Sequence, residues 1–329
     1  MQPDPVFIGV DVAKSTLVVS RAGTAMHLCL DNQAAAIERW LHELPARTAI
    51  AMESTGQYHL LLAGLAHQSG RTVYVLNARD VYFYAKGLGA RGKTDRIDAQ
   101  VIARYAAEHH AALHPWTPGS QAQAAVQALL QRRAKVVLHR NAIRTTLRGQ
   151  DGLEQPLAAL EAQFKQLLTQ IDRQVQQWLH SESELSAAST QLRTITGMGP
   201  QGAALLAALL GRVRFANADA LVAYSGLDPR AHDSGTKTGR RRLSKRGNSL
   251  LRRQLFLAAF AAAHSKALGP LYRAIKDKGF KTTEALIILA RKLLRIAWAV
   301  WRSNELPRLD RRRLPVLVPE SWALGSRPL

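Results

Sequence analysis

Four carboxylates stand where an acid needs a partner. Asp11 closes the apolar run in Ile8-Gly9-Val10-Asp11-Val12-Ala13-Lys14, and Glu53 closes Ala49-Ile50-Ala51-Met52 in the same way. A charge at the end of a buried strand is costly unless something pairs it. Asp95 and Asp98, in Lys93-Thr94-Asp95-Arg96-Ile97-Asp98, stand three residues apart, which on a helix puts both on one face. Each also has an ordinary reading, Asp95 as an acid favouring a helix N-terminus and Asp98 as surface. If all four converge, like charges raise one another's pKa, and a bound divalent cation relieves the repulsion. Oxygen-only donors with no His or Cys cluster suit Mg²⁺, with Mn²⁺ as the alternative. Two such ions about 3.5–4 Å apart are an arrangement that serves phosphodiester chemistry.

Two further stretches could hold phosphate. Ile195-Thr196-Gly197-Met198-Gly199-Pro200 lies between helical segments. Small residues such as Gly197 and Gly199 let backbone N–H groups approach a phosphate where the next helix presents its positive end. That reading is a helix-hairpin-helix element, against an ordinary helix–helix turn. The second stretch, residues 224–247, starts at Tyr224-Ser225-Gly226-Leu227-Asp228-Pro229 and carries Lys237, Arg240, Arg241, Arg242, Lys245 and Arg246. From Arg230 to Arg253 there are nine basic residues and one acid, Asp233. A run so short of acidic partners repels itself unless it lies along a polyanion, so these side chains, with Lys93 beside the acids, are expected to contact nucleic acid.

The rest of the chain agrees with a polyanion partner. Its 329 residues hold 45 Lys and Arg against 24 Asp and Glu, a net charge of +21. Residues 1–113 carry 11 basic and 10 acidic side chains, so the excess belongs to residues 114–329. Arg dominates there, and its planar fork suits bidentate phosphate contacts. Cys29 is the one cysteine, which excludes an intrachain disulfide and Cys-based zinc or iron–sulfur centres. Met1–Pro5 has no signal-peptide character, and the most apolar stretch, residues 285–301, is broken by Arg291, Lys292 and Arg295. Secretion and membrane spanning are not expected.

These residues need elements to position them. Strands are expected over 6–10, 17–20, 26–30, 48–52 and 73–76, with helices over 32–44, 58–68 and 95–107. That order predicts an α/β domain with a mixed sheet over residues 1–112. Leu113-His114-Pro115-Trp116-Thr117-Pro118-Gly119-Ser120 reads as a linker. Beyond it no strands are expected. Helices over 121–148 and 157–179 form a region spanning 121–190. In the second helix Leu157, Leu160, Phe164, Leu167, Ile171 and Trp178 step by three and four, with Gln174 filling the gap. This is a coiled-coil seam fit for a helical hairpin, a dimer contact or a helix packed within one bundle. Residues 191–305 form a mainly α-helical domain with helices over 249–263 and 283–301, and 306–329 a Pro- and Arg-rich tail.

The segments around Asp11, Glu53-Ser54-Thr55-Gly56 and Lys93–Ala99 resemble the DEDD motif of one group of bacterial insertion-sequence transposases, with the acids in family order. The resemblance extends over residues 6–302. It implies a first domain like that of Holliday-junction resolvases, with a ribonuclease-H-like fold, and makes Asp11, Glu53, Asp95 and Asp98 the metal ligands. In the second half, Gly226-Leu227-Asp228-Pro229 followed by Ser234-Gly235 is similar to the segment that carries the family's nucleophilic serine. Ser234 is the matching residue, and Ser225, Ser244 and Ser249 are rivals in the same basic region.

The resemblance implies a DNA recombinase that forms a phosphoserine link, in a site composed from two domains, those of different protomers. It also implies a structured guide RNA, a homodimer or homotetramer, and a bacterial cytoplasmic, nucleoid-associated setting. Two other readings of the residues stay open: a resolvase-type nuclease using metal-activated water, and a non-catalytic nucleic-acid-binding protein.

Overall fold

The protein's structure is a computed structural model that describes residues 6–24, 26–54, 56–89, 94–230 and 241–303. The chain divides into two compact units, residues 1–118 and 119–329.

The first unit is a five-stranded mixed sheet with helices on both faces. Its strands are β1 (Val6–Val12), β2 (Thr16–Arg21), β3 (His27–Asp31), β4 (Thr48–Glu53) and β5 (Thr72–Leu76), in the spatial order β3-β2-β1-β4-β5. β1, β4 and β5 run parallel, while β2 and β3 are antiparallel additions. β4 is buried along nearly its whole length, as a strand covered on both faces must be. Alternation along the strands separates two cores. Ile8, Val10, Ile50, Met52 and Val73 pack on α1 (Ala34–Glu43) and α2 (His59–Gln68), through Ile37, Trp40, Leu41 and Leu62. Ala49, Ala51, Tyr74 and Leu76 face α3 (Ala78–Gly87) and α4 (Asp95–His109), through Val81, Val101, Ile102 and Ala106.

On this second face β1 and β4 carry the small residues Gly9, Ala49 and Ala51, and α4 comes very close to them. A Cβ built on Gly9 would lie 2.2 Å from both the Ala99 carbonyl oxygen and the Ala103 amide nitrogen. Backbone therefore rests on backbone, and no other residue type fits at position 9 without moving the helix. Thr94 caps α4 through a bond from the Ile97 amide to its hydroxyl, at 3.3 Å. At the far end Tyr84 of α3 donates to Glu108 at 2.6 Å, and Arg104 donates to the same carboxylate at 2.7 Å.

The second unit is helical. Ser120 caps α5 (Gln121–Thr146) with a reciprocal capping box to Gln123. A short turn leads to α6 (Glu154–His180), whose Pro156 sits in the first turn, where proline costs no hydrogen bond. The remaining helices are α7 (Ser183–Arg193), α8 (Pro200–Arg212), α9 (Ala218–Ser225), α10 (Ser249–Ala263), α11 (Gly269–Asp277) and α12 (Thr282–Ser303). α8 is apolar nearly all round, the mark of a helix surrounded by others. One core joins Val126 of α5, Leu179 of α6, Leu206 of α8, Leu255 of α10 and Leu293 of α12. Residues 121–190 are thus built into the same core as the helices after 190.

Two expectations are corrected here. A two-residue ribbon, β6 (Pro229–Arg230) with β7 (Arg242–Leu243), interrupts the helical half, where no strand was expected. The seam on α6 is also rotated: Leu168, Val175 and Leu179 are buried, while Leu160 and Leu167 are 40% and 48% exposed. α6 pairs with α5 of its own chain as an antiparallel hairpin, fastened by Arg133 on Asp172 at 2.7 and 2.9 Å.

Two outcomes test this packing. Gly9→Ala should lower the stability of the first unit by roughly 1–3 kcal/mol through overpacking. A denaturation midpoint unmoved by the substitution would contradict the contact with α4. Burial, and then the bond to Glu108, push the Tyr84 hydroxyl up to about 12. Its proton is held more tightly in the folded chain, so its stabilising contribution is complete below pH 10 and fades between pH 10 and 12. Ultraviolet titration of tyrosinate should lose its most alkaline component in Tyr84→Phe.

Candidate functional site

The four carboxylates arrive from three elements of the first unit. β1 and β4 pair in parallel up to Val10 opposite Met52, so Asp11 and Glu53 follow side by side on adjacent strands. Neighbouring strands lie about 4.8 Å apart. Asp11 shares its face of β1 with Gly9, and Glu53 shares its face of β4 with Ala51, so both lie on the side that α4 covers. The direction of α4 brings its own acids to that end. The Phe7 ring lies 4.9 Å from that of His110, tilted against it just past the end of α4, and Gly9 meets Ala99 and Ala103. As β1 advances towards Asp11, the helix therefore runs back towards its first turn, where Asp95 and Asp98 are.

Burial differs within the group. Asp11, Glu53 and Asp98 are half-buried, whereas Asp95 is exposed. The donors are all oxygen and come to one end of one sheet face, which suits a hard divalent cation. Their side chains are not gathered as they stand: among the described residues no three His, Cys, Asp or Glu groups are close enough together to hold a metal ion. Lys93 lies outside the described residues.

In the second unit the turn between α7 and α8 is present. Gly197 has φ of +89° and is packed inward, since a Cβ there would lie 2.3 Å from the Ala258 carbonyl oxygen. Its missing side chain makes room for α10. Gly199 is exposed and caps α8, so of the two glycines it is the one open to a phosphate.

Ser234, Lys237 and Arg240 lie outside the described residues, but the base of their loop does not. Pro229 pairs with Leu243 and Arg230 with Arg242. Beneath the ribbon the Ser244 amide donates to the Asp228 carbonyl at 2.9 Å, and the Ser244 hydroxyl donates to the Asp228 carboxylate. The Lys245 amide donates to the Gly226 carbonyl at 3.0 Å, with Lys245 itself in the left-handed region at φ of 53°. Gly247 fits so tightly that a Cβ would lie 2.0 Å from the Tyr224 carbonyl oxygen. Arg252 of α10 closes the base by donating to the carbonyls of Ser225 at 3.2 Å and Gly247 at 2.5 Å. Burial lowers the pKa of this guanidinium from its usual value. Sequence reasoning missed Asp228, Ser244, Gly247 and Arg252 as a unit, and the only trace was the density of glycines from 226 to 247.

The rival serines separate cleanly. Ser225 is fully buried, with its hydroxyl donating to the Val222 carbonyl at 2.7 Å, and Ser244 is 1% exposed and engaged with Asp228. Ser249 is exposed in the first turn of α10. Arg241, Arg242, Lys245 and Arg246 are all exposed around the clasp. No helix among the described residues is long and apolar enough to cross a membrane.

Comparison with known proteins covers both units. Residues 8–155 match a family model of transposases named for the DEDD motif and the IS110 element. Residues 189–273 match the model described as "Transposase IS116/IS110/IS902 family". The pilin gene-inverting protein of Moraxella bovis is 30% identical, over 91% of this chain and 96% of its own length. Its counterpart in Moraxella lacunata is 29% identical over the same shares. A probable family 20 transposase of Pseudomonas aeruginosa is 26% identical over 89% of this chain and 96% of its own. With an acid-bearing sheet in one half, a basic clasped loop in the other, and relatives matched along nearly their whole length, the chain belongs to the IS116/IS110/IS902 family of DNA transposases.

Proposed function

We propose that this transposase cuts and rejoins DNA through a covalent serine ester. The Ser234 oxygen attacks a backbone phosphorus and forms a new P–O bond, while the bond to one DNA oxygen breaks and that strand leaves as a free hydroxyl end. A DNA hydroxyl later attacks the same phosphorus and regenerates the serine. The ester conserves the bond, so exchange needs no external energy source. The burial and engagement of Ser225 and Ser244 favour Ser234 over those two rivals.

Asp11 and Glu53, with Asp98 and Asp95, would hold Mg²⁺ or Mn²⁺. The observation that carries this reading is the arrival of these acids at one end of one sheet face. When bound, the cation supplies positive charge for the charge that develops on the phosphate. The carboxylates orient it, and the sheet and α4 fix their separation. The strand order supports a ribonuclease-H-like reading of the first unit, and the turn before Pro200 supports a helix-hairpin-helix.

Exposed Arg241, Arg242, Lys245 and Arg246 would follow phosphates at the loop base, with Lys93, Lys237 and Arg240 adding to them from elsewhere in the sequence. Their ligands would be the DNA and a structured guide RNA. Exposed Leu138, Leu160 and Leu167 on the α5–α6 hairpin favour a homodimer or homotetramer.

Incubating the protein with Mg²⁺, element-end DNA and its co-purifying RNA should give a covalent protein–DNA adduct, read by denaturing electrophoresis, that Ser234→Ala abolishes. Free ends that persist in Ser234→Ala would favour metal-activated water, and tight binding without any strand breakage would favour a non-catalytic role. Asp11→Asn should lower strand cleavage by about 100-fold or more while nucleic-acid affinity stays within a few-fold. Wild-type cleavage by that variant would remove the carboxylates from the reaction.

A further inference from the structure

α3 presents a surface that neither the carboxylates nor the basic loop uses. It buries Val81 and turns Tyr84 onto α4, where the ring meets Tyr105 at 5.1 Å. Tyr82 and Phe83 are left 53% and 49% exposed. Their rings meet edge to face, with centroids 5.5 Å apart. A cation lies over each ring: the Arg79 guanidinium is 5.5 Å from the centre of Phe83, and the Lys86 ammonium is 4.9 Å from that of Tyr82. The four side chains thus lie together on one exposed stretch of the helix.

Two large rings flanked within a helical turn by two positive charges match a nucleotide, with its flat base and its phosphate. An apolar protein partner would have to strip water from both cations without compensating them. Paired bases in a duplex are already stacked on their neighbours, so only an unpaired strand has a base to offer. The surface is also near the carboxylates in the chain, because α3 starts at the residue after its cap Asn77, which follows Leu76, the strand partner of Glu53.

We propose that the Tyr82–Phe83 face of α3 is a stacking platform for an unpaired nucleic-acid strand, with Arg79 and Lys86 on its phosphates. The platform deepens the strand-exchange reading and rests on it, since exchange needs a strand that has left its partner. DNA and RNA share the chemistry that would be recognised.

The test uses the full chain and fluorescence anisotropy with single strands of DNA and RNA of one mixed sequence, about 20 nucleotides long to exceed the span of a stacking groove, and the matching DNA duplex. Tyr82→Ala with Phe83→Ala should weaken single-strand binding about tenfold or more, with duplex affinity unchanged. Tyr82→Phe with Phe83→Tyr keeps both rings and should stay within about twofold of wild type on every ligand. The single strand with the greater loss, DNA or RNA, names the source. Unchanged single-strand affinity in the alanine variant would overturn the platform, as would an equal loss on the duplex. A smaller oligomer in light scattering would overturn it by assigning the face to a second copy of the chain. Wild-type protein that bound no nucleic acid at all would sink the strand-exchange reading along with it, whereas wild-type binding unaffected by the alanine variant would sink the platform alone.

Discussion

The distance between α4 and the sheet is set by side chains that are absent. Gly9, Ala49 and Ala51 leave the middle of that face of β1 and β4 without bulk, and α4 settles onto it until the Gly9 backbone meets Ala99 and Ala103. A bulkier residue at position 9 would lift the helix off the sheet. The alternate face of the same strands, with Ile8, Val10, Ile50 and Met52, is filled in the ordinary way by α1 and α2. One face of the sheet thus serves bulk stability, while the other gives up side-chain volume for a close approach that brings a helix N-terminus and its acids to the strand ends.

The helical unit uses the same device in two places. Gly197 lets the α7–α8 turn sink against α10, and Gly247 lets the segment between β7 and α10 lie against Tyr224 and Ser225. Where contact is this close, a polar group left unpaired is destabilising. Asp228, Ser244 and Arg252 do the pairing, and Arg252 gives its charge to two backbone carbonyls instead of to an acid.

Much of the fold was legible in the sequence because it follows from local pattern. The five strands, α1, α2, α4, α5, α6, α10 and α12 stand within a few residues of their expected places, since apolar spacing and turn residues define them. The misses have particular causes. α3 was not foreseen: Val81-Tyr82-Phe83-Tyr84 has the β-branched and aromatic content of a strand, and it becomes helical through the Asn77 cap and the packing of Val81 and Tyr84. α9 and α11 are short and rely on Asn217 and on Gly269-Pro270 at their starts. On α6 the apolar residues span more than one face, and which of them turned inward was decided by α5, through Leu168, Val175 and the Arg133–Asp172 pair. The acids at strand ends were visible as a pattern of costly positions. The loop base was not, because it joins residues about twenty apart through backbone bonds that no spacing rule encodes.

The stitched base also has a bearing on how this loop can change over generations. Its fastenings run from residues 225–230 to residues 242–252, and the bonds that make them come from outside the span they close. Lengthening residues 231–240 leaves in place these fastenings among the described residues, and a longer closed loop adds only slowly to the entropy cost. Apart from Ser234, on which the proposed chemistry rests, the residues between the fastenings are therefore free to vary in type and number while the helices beneath keep their places.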